Sequence, residues 1–185
     1  KDLQQTNNLN RAEYHRAVKE YAGRLHRFVF KSLRNTEDTR DIVQDTFAKL
    51  WVNRKKVEWE KAKSWLFTVA HNGMLNFIKT RNRVELVEEY SQWEPHMEDE
   101  LRMELKEIVD YCLDQLTPVQ RSVLLLRDLE GYEYKEISEI LNLSESQVKV
   151  YLFRARQKMK SQLKDLTVLA DRKSTRLNSS HANIS

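Results

Sequence analysis

This sequence contains few of the residues that interrupt helices or cross-link chains. Its 185 residues include 3 Gly, 2 Pro and 1 Cys. So little glycine and proline favours long helices. The single Cys112 excludes an internal disulfide framework and fits a reducing cytosol better than secretion. No run approaches the ~18 apolar residues of a membrane span, and no signal peptide is visible. We therefore predict a cytoplasmic protein without membrane insertion, and we expect its native start to lie upstream of Lys1.

The formal net charge of +4 is small, but the charges are segregated along the chain. From Glu85 to Glu107 there are nine acidic residues against two basic ones, and from Ser144 to Lys164 six basic residues against one acidic one. This separation indicates a polyanionic partner near one end and an acidic spacer in the middle.

The first half of the chain has the periodicity of three helices. Tyr14, Val18, Tyr21, Leu25, Phe28 and Val29 recur at helical spacing in the first, which we expect to end near Leu33. Asn35 or Thr36 should cap the second, "DTRDIVQDTFAKLW". After the charged stretch "VNRKKVEWEKAK" comes "SWLFTVAHNGMLNFIKTRNR", which buries Leu66, Val69, Leu75 and Ile78 or their neighbours. Residues 8–83 form the first predicted domain, and 84–97 an acidic linker broken at Pro95.

The second half, residues 98–168, is predicted to be a smaller helical domain. Thr117, Pro118 and Gln120 form a capping box with proline at the first helical position, and Gly131 is placed to end that helix. "YKEISEIL" and "SESQVKVYLFRARQKMK" follow, the latter starting with a second capping box of Ser144 and Gln147. Two helices joined by a short turn predict a helix-turn-helix. The predicted fold class is all-α in two small helical domains.

The C-terminal segment 171–185, "DRKSTRLNSSHANIS", has no hydrophobic period. Residues 171–181 correspond to a commonly used sequencing-adapter oligonucleotide read in frame. We therefore interpret the segment as a sequencing-adapter artefact and exclude it from the predicted fold and function. A natural flexible tail is the alternative interpretation.

The last amphipathic helix has the strongest functional signal. Val148, Leu152, Ala155 and Met159 form one apolar stripe, whereas Phe153 lies about 140° from its start, on the basic face. Such a helix fits the major groove of DNA, where Lys149, Arg154, Arg156 and Lys160 can reach phosphates or guanine edges. Phe153 can pack on a thymine methyl group or on a sugar. A solvated helix with one exposed aromatic ring is the alternative interpretation.

Two other helices carry candidate surfaces. On the second helix, Asp38, Asp41 and Asp45 share one face with Gln44, which suits a basic protein partner, although spacing alone favours mere solvation. The third helix mixes aromatic, amide and basic side chains that can stack on unpaired bases and hold their backbone, although its aromatic residues equally suit a core. This nucleic-acid set is Trp65, His71, Asn72, Asn76, Lys79, Arg81 and Arg83.

No catalytic constellation is visible in the sequence. It has no phosphate-binding glycine loop, no metal-ligand cluster and no nucleophile paired with a base. We therefore predict that the protein is not an enzyme and needs no cofactor or metal.

Three motifs in order resemble the sigma factors of bacterial RNA polymerase, of the short extracytoplasmic-function kind within the sigma-70 family. They are "DTRDIVQDTFAKLW", "SWLFTVAHNGMLNFIKTRNR" and "LDQLTPVQRSVLLLRDLEGYEYKEISEILNLSESQVKVYLFRARQKMK". The resemblance implies a region 2-like domain and a region 4-like helix-turn-helix domain, which direct core polymerase to promoters and assist promoter opening.

The resemblance also implies roles for particular residues. Asp41, Gln44 and Asp45 match the D-x-x-Q-[DE] motif that grips the clamp helices of the largest polymerase subunit. The loop 53–63, with Trp65 and Asn72, matches the part that captures a flipped base of the minus-10 element. Gln147, Lys149, Phe153 and Arg154 match the minus-35 reader. An anti-sigma factor is a further expected partner.

Two other hypotheses remain open at this stage. A stand-alone helix-turn-helix regulator would need paired half-sites and a dimer interface, and the sequence shows no sustained dimerisation heptads. An adaptor that binds RNA or protein would leave the two capping boxes and the basic helix face without a purpose.

Overall fold

The computed structural model describes residues 8–85 and 105–181, with side chains described for 8–81 and 106–166. Within these ranges it confirms the all-α prediction. The elements are α1 (Arg11–Leu33), α2 (Thr36–Asn53), a 3₁₀ turn (Arg54–Lys56), α3 (Trp59–Glu85), α4 (Leu105–Asp114), α5 (Pro118–Leu124), a π-helical turn (Leu125–Leu129), α6 (Tyr134–Leu141) and α7 (Glu145–His181). Apart from its first two residues, the predicted linker 84–97 lies outside the described residues.

Local polar contacts fix the ends of α1 and the start of α2. Asn10 and Glu13 form a reciprocal capping box at the start of α1. Arg34 ends that helix in the left-handed conformation, with φ 57°. Asn35 then caps α2, because its side-chain oxygen accepts the backbone N–H groups of Glu37 and Asp38. The chain therefore reverses between α1 and α2 within two residues.

The first domain packs α1, α2 and α3 around one apolar core. Phe28 and Phe67 meet there with their ring centroids 5.4 Å apart. The completely buried side chains are Ala17, Leu25, Phe28, Val29, Leu50, Ala62, Leu66, Phe67 and Ala70. Apolar burial of this kind supplies the main stabilisation of a small domain.

Helix α3 differs from the sequence prediction at its start and in its buried stripe. It begins at Trp59, so the last five residues of the predicted loop 53–63 are helical. Ala62 is fully buried and Trp59 packs against the core, which gives this first turn a tertiary contact. Leu66 is buried as predicted, whereas Val69, Leu75 and Ile78 are only half-buried.

The second domain confirms both predicted capping boxes. Thr117 and Gln120 cap α5, with Pro118 at its first position. Ser144 and Gln147 cap α7 in the same reciprocal way. Gly131 has φ 73° and ends the π-helical turn, a conformation that costs glycine nothing.

Helices α6 and α7 form the predicted helix-turn-helix. They are joined at residues 142–144, where Asn142 adopts the left-handed conformation. Ile137, Ile140, Val148 and Leu152 are buried where the two helices meet. One face of α7 is thereby held against the domain while the opposite face is exposed.

The backbone of α7 continues to His181, into the segment that we interpret as an artefact. This differs from the prediction that the segment has no part in the fold. No glycine or proline occurs between Glu145 and His181, so nothing in the local sequence forces the helix to end. Side chains beyond Leu166 lie outside the described residues.

The two domains contact each other through an interface that contains several ion pairs. Arg34 donates to the Asp110 carboxylate at 2.6 Å and to that of Asp114 at 3.3 Å, and Lys31 also pairs with Asp110. Arg24 donates to Glu130 at 2.7 Å. Burial opposes ionisation of Asp110, but the hydrogen bonds from Arg34 and Lys31 prevail and lower its pKa. These contacts, together with those of His71 and Tyr132 described below, define the interdomain interface.

Candidate nucleic-acid and protein interfaces

The acidic face of α2 is exposed to solvent. Asp41, Gln44 and Asp45 are all exposed, while Phe47 and Leu50 on the other side of the helix are buried. Asp45 forms an ion pair with Lys49 one turn later at 2.6 Å. Because both of these side chains are more than half exposed, water screens the pair and either group can exchange it for another partner.

Five of the seven predicted nucleic-acid residues of α3 lie on one stripe. At about 100° per residue, these five positions fall within roughly 60° of one another on the helix circumference. Asn72, Asn76 and Lys79 are exposed there, and Trp65 is partly buried against the core at the N-terminal end. The side chain of Arg83, which would continue the stripe, lies outside the described residues. Arg81 is exposed on a different side of the helix.

His71 does not lie on this stripe. Its side chain is only 4% exposed and faces the second domain, where its Nδ1 is 3.1 Å from the hydroxyl of Ser122. Burial lowers the pKa of His71 to about 4, so the ring is neutral at pH 7. In this arrangement His71 is a contact of the interdomain interface, and nucleic acid can reach it only if the two domains separate.

The predicted DNA-reading residues of α7 stand on its exposed side. Gln147, Lys149, Phe153 and Arg154 are exposed, with Phe153 at 63%. The Lys149 ammonium lies 5.9 Å from the ring centroid of Tyr134 on α6. Together these side chains form a cationic surface around an aromatic ring, which suits the major groove of DNA.

Arg156 differs from the other candidate cations because it already has a partner. Its Nη2 lies 2.6 Å and its Nε 3.3 Å from the two carboxylate oxygens of Asp128. This bidentate pair raises the pKa of Arg156 and orients its guanidinium towards the π-helical turn. A phosphate would have to replace Asp128 to use this side chain fully.

The interdomain interface was not predicted from the sequence. Arg24 and Glu130 are 106 residues apart, and Glu130 is an ordinary acid in a helix-ending sequence. Tyr132 stacks edge-on against Phe67 with ring centroids 5.3 Å apart and receives the Lys63 ammonium over its face at 3.9 Å. No short-range pattern connects these residues, so only the three-dimensional fold reveals them.

Residues 8–85 and 105–181 show neither a metal-ligand cluster nor a membrane-spanning helix. In that part of the chain, no three His, Cys, Asp or Glu side chains converge as metal ligands. None of its helices combines the length and apolar character that crossing a bilayer requires.

Comparison with known families covers both domains. The family Sigma-70 region 2 matches residues 17–84, and Sigma-70, region 4 matches residues 106–159. The ferric citrate uptake sigma factor FecI of Escherichia coli (strain K12) is 31% identical over 141 residues, which are 72% of this chain and 80% of FecI. The chain belongs to the sigma-70 family of RNA polymerase sigma factors. Sigma factors act in transcription initiation and are not catalytic enzymes.

Other relatives assign this sigma factor to the extracytoplasmic-function group. The ECF RNA polymerase sigma factor SigM of Bacillus subtilis (strain 168) is 29% identical over 150 residues, covering 76% of this chain and 89% of SigM. The match extends over both domains, so it does not favour a stand-alone helix-turn-helix regulator.

Solved sigma factors share the fold. RpoE of Bartonella quintana, in complex with the anti-sigma factor NepR, superposes with a TM-score of 0.68 at 22% identity, covering 82% of this sigma factor and 97% of RpoE. CnrH, in complex with the cytosolic domain of CnrY, gives a TM-score of 0.65 at 22% identity, covering 87% and 94%.

Proposed function

We propose that this sigma factor binds core polymerase through α2, engages the minus-10 element through α3 and reads the minus-35 element through α7. The observation that carries this assignment is the opposite charge of two exposed helix faces, one acidic on α2 and one basic on α7. An acidic face repels DNA and attracts basic protein surfaces, whereas a basic helix face attracts the phosphate backbone. The two faces therefore need different partners, and polymerase with promoter DNA supplies both in the cytoplasm.

The polymerase contact rests on the acidic face of α2. Asp41, Gln44 and Asp45 match the family motif for the clamp helices of the largest subunit, and all three are exposed. Phe47 and Leu50 anchor the opposite side of α2 in the core, so the face has a fixed orientation. Charge complementarity of this kind speeds association and fixes the register of a partner.

The minus-10 contact rests on the exposed stripe of α3. Amide side chains of Asn72 and Asn76 can read the edges of unpaired bases, and Lys79 can hold their phosphates. Trp65 stands at the N-terminal end of this stripe, in the second turn of α3. Arg81 and Arg83 would add positive charge at the far end. His71 joins this set only in an open arrangement of the two domains.

The minus-35 contact rests on α7. Gln147, Lys149, Phe153 and Arg154 are exposed on a helix whose opposite face is packed in the domain. The capping box of Ser144 and Gln147 fixes the first turn, so the helix N-terminus can approach a phosphate with defined geometry. Arg156 would contribute after leaving Asp128.

We also infer regulation by an anti-sigma factor. The solved structure of RpoE was obtained with the anti-sigma factor NepR, and that of CnrH with the cytosolic domain of CnrY. Both superpose on most of this chain. A partner that binds both domains at once would keep the α2 and α7 faces from reaching polymerase and promoter together.

The polymerase assignment is tested by Asp41→Ala combined with Asp45→Ala. We expect the affinity for core polymerase to fall at least tenfold, because both carboxylates leave the binding face. Fluorescence anisotropy of the labelled protein with purified core enzyme measures this, and polymerase-free binding to minus-35 DNA should not change. Glu107→Ala with Glu139→Ala removes the same charge from exposed positions in the second domain and should leave core binding intact. Equal affinities for the two double variants would contradict the proposed polymerase face.

A further inference from the structure

Two large apolar side chains stand on the exposed side of α7, with the polar residues Ser146 and Gln157 between them. Val150 is 45% and Phe153 63% exposed, although both are large hydrophobic residues. With Val148 set at 0°, the fully or nearly fully buried residues Leu152 and Ala155 lie within about 40° of it, whereas Phe153 and Val150 lie near 140° and 200°. These two side chains therefore point almost directly away from the core of the domain.

Neither side chain is explained by the fold. Val150 is β-branched, which disfavours a helix slightly, and it takes no part in capping α7. A polar residue at the same position would leave the packing of Val148, Leu152 and Ala155 untouched. Two large apolar side chains on the exposed side of a helix therefore indicate a surface that a partner covers.

The flanks of this apolar pair identify the partner as a polyanion. From Glu145 to Lys160 the helix carries five basic residues and one acidic residue. They lie on both sides of the pair: Lys149, Arg156 and Lys160 on one side, Arg154 and Lys158 on the other, by the same rotation. Cations that flank a strip with two apolar side chains match a DNA groove, where phosphates border the base edges.

Only one apolar group stands on the base edges of the major groove, the 5-methyl group of thymine. Side chains at positions i and i+3 of a helix lie about 5–6 Å apart. Successive base pairs are stacked about 3.4 Å apart, so the pair spans one or two steps. We propose that Val150 and Phe153 read the methyl groups of thymines at two neighbouring positions of the minus-35 element. This inference rests on the proposed entry of α7 into that groove, and it adds Val150 as a specificity-determining residue.

The test uses holoenzyme assembled from core polymerase and the full chain, on a promoter obtained by selection from random minus-35 sequences. Each thymine in the selected element is replaced in turn by deoxyuracil, which removes the methyl group and keeps base pairing. We expect the affinity of the wild-type holoenzyme to fall three- to tenfold at one or two neighbouring positions. This measurement involves no protein variant, so it is independent of folding defects.

Variants assign each methyl group to a side chain. In Val150→Ser, or in Phe153→Ala, the uracil effect should vanish at one of the sensitive positions and persist at the other. Val52→Ser makes the same change at a valine that is 76% exposed on α2, in the first domain, and should retain the full wild-type response.

Arg154→Ala separates failure of this inference from failure of the proposed function. If Arg154→Ala abolishes promoter recognition while no uracil substitution matters, α7 reads DNA without methyl contacts and the inference is wrong. If promoter use survives Arg154→Ala as well, the proposed role of α7 is wrong too. The inference is also overturned if Val150→Ser weakens binding to core polymerase without changing any uracil response, because the apolar pair then serves a protein partner.

Discussion

The cores of the two domains and the interface between them are built from different kinds of contact. Leu25, Leu66 and Phe28 in the first domain, like Val123 and Ile137 in the second, are completely buried among apolar neighbours. The interdomain interface adds ion pairs and hydrogen bonds to an apolar contact, in which the buried Tyr132 packs on Phe67. Water can replace the polar contacts, whereas it cannot replace apolar packing. We therefore expect the two domains to separate at the interface before either core unfolds.

Hydrogen bonding at the interface is incomplete. Among the described residues, Arg121 Nε, Glu130 Oε1 and Tyr132 Oη are buried without a hydrogen-bond partner, and all three belong to residues at the interface. Burial also lowers the pKa of Arg121 and raises that of Tyr132. We call the observed arrangement, in which the two domains are in contact, the closed arrangement. Each unsatisfied atom disfavours it, so the contact between the domains is weaker than its number of ion pairs suggests.

Among the substitutions that compare the cores with the interface, Phe28→Ala in the first core should have the largest effect on stability. Removing a completely buried phenylalanine that stacks on Phe67 should lower the free energy of unfolding by about 3–5 kcal/mol. Denaturant unfolding followed by tryptophan fluorescence measures the change. Phe153→Ala is the matched control, and at an exposed site it should cost less than about 0.5 kcal/mol. Similar losses in both variants would mean that burial does not set the stability of this domain.

A smaller and different effect is expected for Glu130→Gln at the interface. The Glu130 side chain is 1% and that of Arg24 29% exposed, so the substitution removes the charge from a largely buried pair while keeping the volume. We expect the closed arrangement to lose roughly 1–3 kcal/mol relative to the open one, with little change in the unfolding of either domain. Energy transfer between dyes on α2 and α7 reports the opening.

The control for this prediction is Glu20→Gln, which makes the same change in an exposed pair with Arg16. It should leave the distance between the dyes unchanged. If Glu130→Gln unfolds the second domain instead of opening the interface, the distinction between core and interface is wrong at this residue.

The smallest expected effect is a pH dependence from His71. Its pKa is about 4 when buried, against 6.5 for a free histidine, so the closed arrangement binds fewer protons than the open one. Stability of the closed arrangement is therefore complete above about pH 6.5 and declines as the pH falls towards 4. Between pH 7 and 5.5 the loss should be about 1 kcal/mol.

The charged and polar groups around His71 do not hide its effect on the pH dependence of the closed arrangement. Arg121 and Ser122 face it from α5 and Ser32 from α1, while the lowered pKa of Asp110 makes that carboxylate titrate only in stronger acid. The dye distance measured against pH should become flat in His71→Gln. An unchanged pH profile in that variant would show that another group controls the opening.

Local signals in the sequence were enough to predict most of the fold. The capping boxes of Thr117 and Ser144 and the apolar periods of α1 and α7 depend on residues within one or two helical turns. The features that the sequence did not predict depend on contacts between residues far apart in the chain. Helix α3 begins early because Ala62 and Trp59 find tertiary contacts, and periodicity does not record those contacts.

The candidate interfaces were predicted unevenly for the same reason. Helical spacing alone predicts that Asp41 and Asp45 share one face of α2. The burial of His71 depends on Ser122, 51 residues further along the chain, and the pairing of Arg156 depends on Asp128 across the helix-turn-helix. Val150 could have been found from the sequence, because the rotation that singled out Phe153 also places Val150 on the outer side.

Arg34 joins the end of α1 to the other half of the molecule. Its left-handed backbone disfavours any residue but glycine by roughly 1 kcal/mol, yet its guanidinium holds the Asp110 carboxylate, the Asp110 backbone carbonyl and the Asp114 carboxylate. The next residue, Asn35, is the cap of α2. If the second domain moves away from the first, Arg34 must therefore lose its contacts with these oxygens of Asp110 and Asp114. Arg34 directly precedes the cap of α2, the helix that carries the acidic face.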